Sequence, residues 1–449
     1  MEKNVNIVKG THDIIDDEME LYGKLLRSFS FLATRYGYKE IVTPTIEHTN
    51  LFARSVGDSS DIVSKEMYTF LDKGDRSITL RPEMTAGVLR AIVSNKMTAQ
   101  RDLPLRLFYN GSCFRYERPQ AGRYREFHQF GVETLGVRLP SEDLEVVLLG
   151  IRSLQSAGLD NVKIKINYLG NEETRSKYRE ALKEYFKDHI ENMCEDCKHR
   201  YETNPLRILD CKVNEDRPII DKAPNILDFL SEEDKKVFDF IVKGLEKAKC
   251  KVEIDPTLVR GLDYYTGIVF EYHSDYDDAP NFGAIGGGGH YSKLLSELGG
   301  PDLEGIGFSF GMERVVALMH ALNKKLGADD TIDCYLIGLN EEAIEYNVEL
   351  ADEVRNIGFA VLYNHEVRSM KSMMKYASKI GAKFVAIIGE DELEKKVLTL
   401  KDMETQEQTE VDFEHFLSKI IEGLLKKRQR QAEEQFKDEL DDLKEGGKA

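Results

Sequence analysis

Two long stretches with the composition of strands lie close together between residues 106 and 136. The stretches RLFYNGSCFRYE (106–117) and YREFHQFGVETLG (124–136) contain many of the aromatic and β-branched residues that favour strands. A connection this short allows antiparallel pairing but not a parallel crossover. The hairpin therefore predicts that this half of the chain folds around an antiparallel sheet.

The tip of this hairpin carries an excess of positive charge. The segment FRYERPQAGRYREFHQ (114–129) holds four arginines and two glutamates. The chain as a whole has a formal net charge of −18, which on average repels nucleic acids and anionic membranes. General attraction to anions therefore does not explain the arginines, and a local role is indicated.

The bulk composition narrows the class of protein. A length of 449 residues suggests two or three domains. The N-terminus lacks the apolar core of a signal peptide, and no apolar run approaches the roughly 18 residues of a membrane span. Six cysteines in a chain of this length do not form a disulfide scaffold. We expect a cytoplasmic protein that does not enter a membrane.

The pattern of the chain changes three times. Residues 1–325 are predicted to form an antiparallel α+β domain, interrupted by a charged helical insertion at 171–256. Residues 330–425 alternate strand and helix, which is typical of a small parallel α/β domain. Residues 426–449 are charged and polar on every face, and are predicted to form a solvated helical tail without function.

One face of the second hairpin strand has a suggestive pattern. Gln129, Gly131 and Glu133 alternate onto the same side, which places the two polar side chains about 13 Å apart. Phe127 lies on the same face and could stack on a flat ring. The pattern fits a floor for a small polar molecule, and it equally fits an ordinary solvated hairpin with a glycine bulge.

Other segments add groups of the same kinds. Arg260 precedes two tyrosines, Glu83 and Thr85 alternate on an extended segment, and Arg314 follows a glycine-rich strand. The glycines at 286–289 permit close approach of the backbone to a ligand. Taken singly, these features also fit turns and solvated side chains. Together they offer cations for a polyphosphate, acids for an ammonium group and aromatic rings.

These segments resemble class II aminoacyl-tRNA synthetases, and among them the histidyl-tRNA synthetase family, over roughly residues 5–425. FRYERPQAGRYREFHQFGVE is similar to motif 2 of that class, GIGFSFGMERV to motif 3, and the stretch ending at Pro44 to motif 1. LVRGLDYY (258–265) is similar to a segment peculiar to the histidyl enzymes, and TLRPEMTAG (79–87) also matches. KYASKIGAKFVAIIGEDEL (375–393) resembles their anticodon-binding domain.

The resemblance implies a class II α+β catalytic domain with an antiparallel sheet, a helical insertion and a C-terminal α/β anticodon-binding domain. It implies ATP-dependent activation of L-histidine to histidyl-adenylate with release of pyrophosphate, followed by transfer to the 3′ end of tRNA(His). The implied partners are L-histidine, tRNA(His) and ATP with Mg²⁺. A homodimer is also implied, because motif 1 forms the dimer interface in this class.

The resemblance also assigns roles to residues. Arg115 and Arg260 would bind the α-phosphate from two sides and are the implied catalytic residues, while the gap at Gly131 would hold the substrate. The implied ATP-binding residues are Arg115, Glu117, Arg123, Phe127 and Arg314. The implied histidine-binding residues are Glu83, Thr85, Arg115, Gln129, Glu133, Arg260, Tyr264, Tyr265 and Tyr291. The implied tRNA-binding residues are Gln120, Lys371, Lys375 and Lys379.

The glycine-rich segment departs from the family pattern. The family usually has Gly-Gly-Arg-Tyr-Asp, whereas here His290 and Ser292 stand in place of the arginine and the aspartate. A salt-bridging pair would thereby be lost beside the histidine pocket. We expect the change to be tolerated, because the residues expected to contact the substrate are present.

A group of cysteines raises the possibility of a metal site. Cys194, Cys197 and Cys211 lie in the insertion with His199 nearby. The fourth ligand is poorly spaced for zinc and the segment is helical and charged. We therefore predict no metal.

Three other functions remain open from the sequence. The chain could be the synthetase-like regulatory subunit of ATP phosphoribosyltransferase, an RNA-binding sensor that has lost catalysis, or a class II synthetase for another amino acid. The first tends to lose the C-terminal domain and the motif 2 arginine, which are present here. The second is disfavoured by the arginines at Arg115 and Arg260, and the third by the LVRGLDYY segment.

Overall fold

The structure is a computed structural model of the chain. It describes residues 6–446 except 58–59, 61, 118–121, 137–138, 261, 263 and 327–331, and at 428, 431–432 and 434–446 it describes the backbone alone. The chain divides into two compact units, Met1–Gly327 and Ala328–Ala449. No helix among the described residues is long and apolar enough to cross a membrane.

The first unit contains eleven described strands, and two of them match the hairpin segments predicted at 106–117 and 124–136. They are β1 (Lys39–Glu40), β2 (Ile46–His48), β3 (Tyr68–Leu71), β4 (Ser77–Leu80), β5 (Leu105–Phe114), β6 (Glu126–Leu135), β7 (Val162–Tyr168), β8 (Lys251–Ile254), β9 (Thr266–Ser274), β10 (Ala284–Tyr291) and β11 (Gly305–Gly311). Eight of them form one sheet in the order β1-β5-β6-β11-β10-β9-β7-β8, and β2, β4 and β3 form a small second sheet.

The large sheet is antiparallel except at its edges, where β1 pairs with β5 and β7 with β8 in parallel. The predicted hairpin is confirmed as the β5–β6 pair, whose register places Tyr109 opposite Gly131. The glycine run at 286–289 lies within the central strand β10, between β9 and β11. Glycines fit there because neighbouring backbones approach closely: a Cβ on Gly288 would lie 1.9 Å from the carbonyl oxygen of Gly307.

Helices cover both faces of the large sheet. They are α1 (Asp16–Arg35), α2 (Thr49–Val56), α3 (Thr85–Ser94), α4 (Met97–Gln100), α5 (Pro140–Ser156), α6 (Glu172–Lys187), α7 (Glu195–Thr203), α8 (Arg217–Ile220), α9 (Glu232–Lys247), α10 (Leu294–Glu297) and α11 (Met312–Ala321). Helices α1, α5 and α11 pack on one face around a continuous apolar cluster that includes Phe29, Phe130 and Phe310. Each such side chain contributes about 1.5–3 kcal/mol on burial.

The opposite face of the sheet holds the polar site. Helix α3 and part of the insertion cover it, and the apolar cluster there includes the tyrosines Tyr109, Tyr265 and Tyr291. The predicted helical insertion is present as helices α6–α9, which separate β7 from β8.

The second unit is built on a five-stranded sheet. Its elements are β12 (Cys334–Gly338), α12 (Glu341–Asn356), β13 (Val361–Tyr363), α13 (Met370–Lys379), β14 (Phe384–Ile388), α14 (Glu390–Lys395), β15 (Val397–Asp402), β16 (Gln408–Asp412) and α15 (Phe413–Gly446). The strand order is β13-β12-β14-β15-β16. The first three strands are parallel as predicted, but β15 and β16 add an antiparallel hairpin. The predicted parallel α/β pattern therefore holds for three strands, and the antiparallel hairpin was not foreseen from the sequence.

The predicted tail continues the last helix of the fold and is not solvated throughout. Lys427 is only 8% exposed, and its ammonium group donates to Asp402 at 2.9 Å and to Glu404. These carboxylates raise the pKa of Lys427 against the opposing effect of burial, which is the larger single influence. The first turns after 426 therefore belong to the packed unit.

Candidate active site

Two connected cavities open on the tyrosine-lined face of the large sheet. The larger has a volume of about 600 Å³, within the range of small-molecule sites. The smaller cavity is more enclosed and has a volume of about 40 Å³, enough for a few water molecules. Arg115, Gln129 and Arg260 line both cavities and therefore mark their junction.

Arginines dominate the electrostatics of the larger cavity. The Glu117 carboxylate lies between two of them, 3.8 Å from Arg115 and 3.4 Å from Arg123. Arg314 donates to the backbone carbonyl of Ala284. Burial and the positive charge of Arg123 lower the pKa of Arg314 to about 10. The cavity thus holds more positive charge than its carboxylates neutralise, so a polyanion would bind favourably.

Among the described residues, one carboxylate pairs with Arg260 at the junction. Its Nη1 is ion-paired with Glu271 Oε1, and within the described part of the chain its Nε has no hydrogen-bond partner. A Cβ on Gly287 would approach Nη1 to 3.0 Å, so the glycine lets the guanidinium lie against β10. Burial opposes ionisation of Glu271, but Arg260 and His273 lower its pKa to about 2. The ion pair therefore persists at neutral pH.

The smaller cavity is built around a buried carboxylate. Glu133 is 1% exposed and accepts hydrogen bonds from Thr85 at 2.7 Å, Tyr109 at 3.0 Å and Tyr291 at 2.8 Å. Burial and the charge of Glu83 raise the pKa of Glu133 to about 7, although the hydroxyl donors act in the opposite direction. Oε1 receives two of these bonds and Oε2 one, so Oε2 keeps capacity for a further donor.

A second buried carboxylate caps the helix that borders this cavity. Glu83 accepts from the backbone N–H groups of Thr85 at 2.6 Å and Ala86 at 2.9 Å, at the start of α3. Burial raises the pKa of Glu83, while these bonds and the charge of Arg115 act to lower it. Helix capping fixes the carboxylate in place. Glu83 and Thr85 line the smaller cavity, as the sequence predicted.

Aromatic rings form the rest of the wall. Tyr264 packs against Tyr265 with ring centroids 4.5 Å apart and against Tyr291 at 5.9 Å. All three line the smaller cavity. The guanidinium of Arg115 lies 5.3 Å from the ring of Phe127, and its Nε donates to the Pro82 carbonyl at 2.8 Å. The Nη groups of Arg115 are thereby aimed at the junction from a fixed base.

The predicted gap over Gly131 is occupied. A Cβ at this position would lie 2.6 Å from the hydroxyl oxygen of Tyr109, so a tyrosine from the paired strand fills the space. The prediction that a substrate lies directly over Gly131 was wrong, and the open space begins beside it, between Gln129 and Glu133. Sequence reasoning missed Tyr109 because only the β5–β6 register reveals its place. It also missed Glu271. A buried arginine calls for a carboxylate partner, but the burial of Arg260 is visible only in the fold.

His290, one of the two residues that depart from the family pattern, is paired with carboxylates. His290 Nδ1 lies 3.0 Å from Asp143 and Nε2 lies 3.2 Å from Glu304. Burial alone would lower the pKa of His290, but the hydrogen bonds to these carboxylates and their charge raise it to about 9. The histidine is therefore protonated at neutral pH. The pair between residues 290 and 292 is absent because Ser292 is uncharged, but His290 forms salt bridges with Asp143 and Glu304 instead.

Protonation of His290 predicts a specific dependence of stability on pH. Its folded pKa of about 9 exceeds the ordinary value of 6.5, so its contribution is complete below pH 6.5 and disappears as the pH rises through 9. We expect the contribution to be about 2–3 kcal/mol. Thermal unfolding between pH 6 and pH 10 should show wild type losing more stability over this window than His290→Gln or His290→Arg, by about that amount.

A surface histidine provides the control for this prediction. His320→Gln alters an exposed side chain on α11 and should keep the wild-type slope. If His290→Gln showed that same slope, the paired carboxylates would not be stabilising the histidine.

The remaining predicted residues lie elsewhere or outside the described part of the chain. Three exposed lysines recur at four-residue intervals on α13, in the second unit: Lys371, Lys375 and Lys379. Met373 and Ala377 are buried on the other side of this helix, so the lysines share the solvent face. Gln120 lies outside the described residues.

Comparison with protein families assigns both units. Residues 10–315 match the family model described as histidyl-tRNA synthetase, and residues 333–423 match the model described as anticodon binding domain. A histidine–tRNA ligase of Bacillus cytotoxicus is 46% identical over 425 residues, covering 94% of this chain and all of the relative. That of Bacillus subtilis is 46% identical over 415 residues, covering 92% of this chain and 97% of the relative.

Solved structures give a consistent match. Apo histidyl-tRNA synthetase of Staphylococcus aureus superposes with a TM-score of 0.78 at 36% identity, covering 93% of this chain and all of the other. A Bacillus halodurans protein described as an ATP phosphoribosyltransferase regulatory subunit/histidyl-tRNA synthetase matches with a TM-score of 0.60 at 26% identity, covering 85% and 97%. The fold predicted from the sequence motifs is confirmed.

Proposed function

The chain belongs to the histidyl-tRNA synthetase family, and we propose that its two connected cavities form the site of histidine activation. It is an aminoacyl-tRNA ligase that charges tRNA(His) with histidine in an ATP-dependent reaction. ATP binds in the larger, arginine-rich cavity and histidine in the smaller, tyrosine-lined one. The observation that carries this assignment is the position of Arg115 and Arg260, which line both cavities.

The junction is where the two substrates react. A carboxylate oxygen of histidine attacks the α-phosphorus of ATP, and the bond from that phosphorus to the bridging oxygen of pyrophosphate breaks. Negative charge builds on the α-phosphate oxygens, and the guanidinium groups of Arg115 and Arg260 are already fixed beside them. In the second step the 3′-terminal ribose hydroxyl of the tRNA attacks the histidyl carbonyl, and AMP leaves.

The remaining arginines hold the nucleotide. Arg123 and Arg314 bind the outer phosphates. The two positive charges repel each other, and bound phosphate compensates both. Glu117 keeps Arg115 and Arg123 in place between substrate cycles. Adenine stacks between Phe127 and Arg314.

The smaller cavity recognises histidine by its imidazole ring. Glu133 Oε2 accepts a hydrogen bond from one imidazole nitrogen, and Tyr265 contacts the other. Tyr264 and Tyr291 enclose the ring. Glu83, Thr85 and Gln129 bind the amino-acid end. A site that hydrogen-bonds its substrate in this way rejects analogues lacking those groups by up to about 10⁴–10⁵-fold.

Mg²⁺ accompanies ATP in this proposal. Carboxylates are the ligands that this cation prefers in proteins, and Glu117, Glu271 and Glu313 line the larger cavity. Each already accepts N–H donors, from Arg123, Arg260 and His128 respectively. Because these carboxylates are already engaged, most ligands of the ion would be phosphate oxygens and water. When bound, Mg²⁺ neutralises charge on the triphosphate.

The tRNA contacts the second unit as well as the catalytic one. Lys371, Lys375 and Lys379 present a basic surface on an acidic protein, suited to the phosphates of an anticodon stem. Gln120, on the connection between β5 and β6, contacts the acceptor end. The enzyme works in the cytoplasm, where tRNA is charged for translation.

We further infer a homodimer formed around α1 and the segment that follows it. Phe31 is 64% exposed, Val42 80% and Ile46 47%, and large apolar side chains of this kind are what a protein interface buries. Replacing Phe31 and Val42 together with serine should weaken dimerisation at least about 10-fold, because buried anchors dominate interface energies. Sedimentation velocity measures the change. Phe240→Ser, at another exposed aromatic, on α9, should leave the dimer intact, and equal weakening by both variants would contradict the assignment.

The direct test of the function is histidine-dependent exchange of pyrophosphate into ATP without tRNA. Exchange with histidine alone among the amino acids is expected. Exchange with a different amino acid would favour a class II synthetase for that substrate. A folded dimer without any exchange would favour a regulatory subunit or an RNA-binding sensor, although the matched anticodon-binding domain already weighs against the regulatory subunit.

A further inference from the structure

Three cysteines and an aspartate of the helical insertion converge on one point. The side chains are Cys194, Cys197, Cys211 and Asp216, and one ligand atom from each lies within 4.8 Å of all the others. Cys194 immediately precedes α7 and Cys197 lies in its first turn. Cys211 follows the 3₁₀ turn Pro205–Asp210, and Asp216 immediately precedes α8. The group therefore joins three short elements that follow one another along residues 194–220.

The sulfur positions fit a shared ion better than a disulfide. The Sγ atoms of Cys194 and Cys211 are 3.7 Å apart, whereas a disulfide requires about 2.05 Å. Two thiolates that each lie about 2.3 Å from one tetrahedral zinc ion are separated by about 3.8 Å. The observed separation is therefore that of two ligands on the edge of a tetrahedron.

The carboxylate in the group lacks a cation. Asp216 is 2% exposed. Within the described ranges its hydrogen bonds come from the Cys194 N–H at 3.2 Å and the Cys211 thiol at 3.3 Å, and no basic side chain pairs with it. The adjacent Arg217 is instead paired with Asp221 at 2.7 Å. The carboxylate is stabilised by neutral donors alone among the described residues, and a divalent cation at the centre of the group would compensate its charge directly.

The backbone also supports a thiolate here. The N–H of Val213 is directed at Cys211 Sγ at 3.4 Å. Hydrogen bonds of this kind orient metal ligands and stabilise their negative charge.

We propose that Cys194, Cys197, Cys211 and Asp216 form a structural zinc site. Three thiolates and one carboxylate at tetrahedral spacing suit Zn²⁺. Four protein ligands leave no position for a substrate, so the ion has a structural role. The sequence-based prediction of no metal assumed that His199 was the fourth candidate. His199 is exposed and does not belong to the group, and Asp216 replaces it as the fourth ligand.

The ion would stabilise a segment that has little regular structure of its own. Helix α7 has nine residues and α8 four, lengths that are unstable in isolation. Cys194 and Cys211 also line the larger cavity, so the ion would hold one wall of the site opposite the sheet. Binding would displace the thiol protons into solvent.

The test is the metal content and cobalt spectrum of the full-length chain. Protein prepared with reductant and without chelator is expected to contain about one zinc per chain by mass spectrometry of the elements. Replacement of zinc by Co²⁺ should produce thiolate-to-cobalt charge transfer and the visible bands of a tetrahedral site. Cys211→Ser should abolish both, and Asp216→Asn should weaken Co²⁺ binding while leaving the fold intact.

Controls separate this site from other thiols and from misfolding. Cys250→Ser, at a half-buried cysteine outside the group, should keep the full metal content. For wild type, removal of zinc by a chelator should lower the unfolding temperature, and ZnCl₂ but not MgCl₂ should restore it. Wild-type protein that contains no zinc and gives no thiolate–cobalt spectrum would overturn the proposal, as would a Cys194–Cys211 disulfide in place of the metal.

Discussion

Replacing Arg260 with alanine is expected to lower the rate of histidyl-adenylate formation by about 10²–10³-fold, because one fixed donor to a developing oxyanion is worth this much. Arg260 lies at the junction of the two cavities and is held there by Glu271. In the proposed mechanism, its interaction with the α-phosphate grows stronger as charge builds in the transition state. The loss should therefore appear in kcat for pyrophosphate exchange, with little change in KM for ATP or histidine.

Arg260→Ala also leaves the buried Glu271 carboxylate without its main partner. A second substitution is therefore needed to separate a loss of catalysis from a loss of stability. Glu271 keeps His273 at 2.9 Å, yet a buried carboxylate that loses an arginine destabilises a protein by about 3–5 kcal/mol. The Arg260→Gln, Glu271→Gln pair removes both charges and should retain the fold while remaining inactive. Arg106→Ala breaks a salt bridge of the same kind with Glu142, away from the cavities, and should exchange normally. A folded Arg260 variant with the wild-type rate would remove this residue from the mechanism.

Features set by residues close together in the chain were predictable from the sequence. Strand and helix segments were predicted because alternation and three- or four-residue spacing report which local face is buried. The arginines of the larger cavity were found for a related reason: unbalanced charge within a short hairpin is visible without knowing the fold. Arg115 and Arg123 accordingly lie where the sequence placed them, around a cavity.

Contacts between distant segments were not predictable in the same way. Tyr109 fills the space over Gly131 only because the strands pair in one register, and a shift by one residue would turn it to the other face. Arg260 and Glu271 meet because β9 carries the carboxylate back toward the preceding loop. The aspartate of the cysteine group was missed for a different reason. Asp216 is only five residues from Cys211, but the short irregular elements around them have no periodic pattern that would place the two side chains together.

Glu133→Gln is expected to reduce kcat/KM for histidine about 10–100-fold, the value of a hydrogen bond to a charged group. The glutamine keeps the shape of the side chain and its oxygen can still accept from Thr85 and Tyr109. Its amide nitrogen takes the place of Oε2 and cannot accept a hydrogen bond from an imidazole N–H. Exchange assays at varied histidine measure the loss. Wild type should discriminate strongly against an analogue whose ring lacks the N–H, and the variant should lose most of that discrimination.

The same substitution should make the folded protein more stable at neutral pH. The pKa of Glu133 is raised from 4.5 to about 7 by burial, so its ionisation opposes folding increasingly as the pH rises through this interval. Glutamine has no such cost, and the gain above pH 7 should be on the order of 2 kcal/mol. Urea unfolding at pH 5 and pH 8 separates this effect from packing, and Glu394→Gln, at an exposed glutamate, provides the control.

If Glu133→Gln activated histidine normally, the carboxylate would serve only to hold its three hydroxyl partners, and recognition of the ring would fall to Tyr265. A loss of activity together with a gain in stability would instead show that the buried charge is retained for the substrate at the expense of the fold.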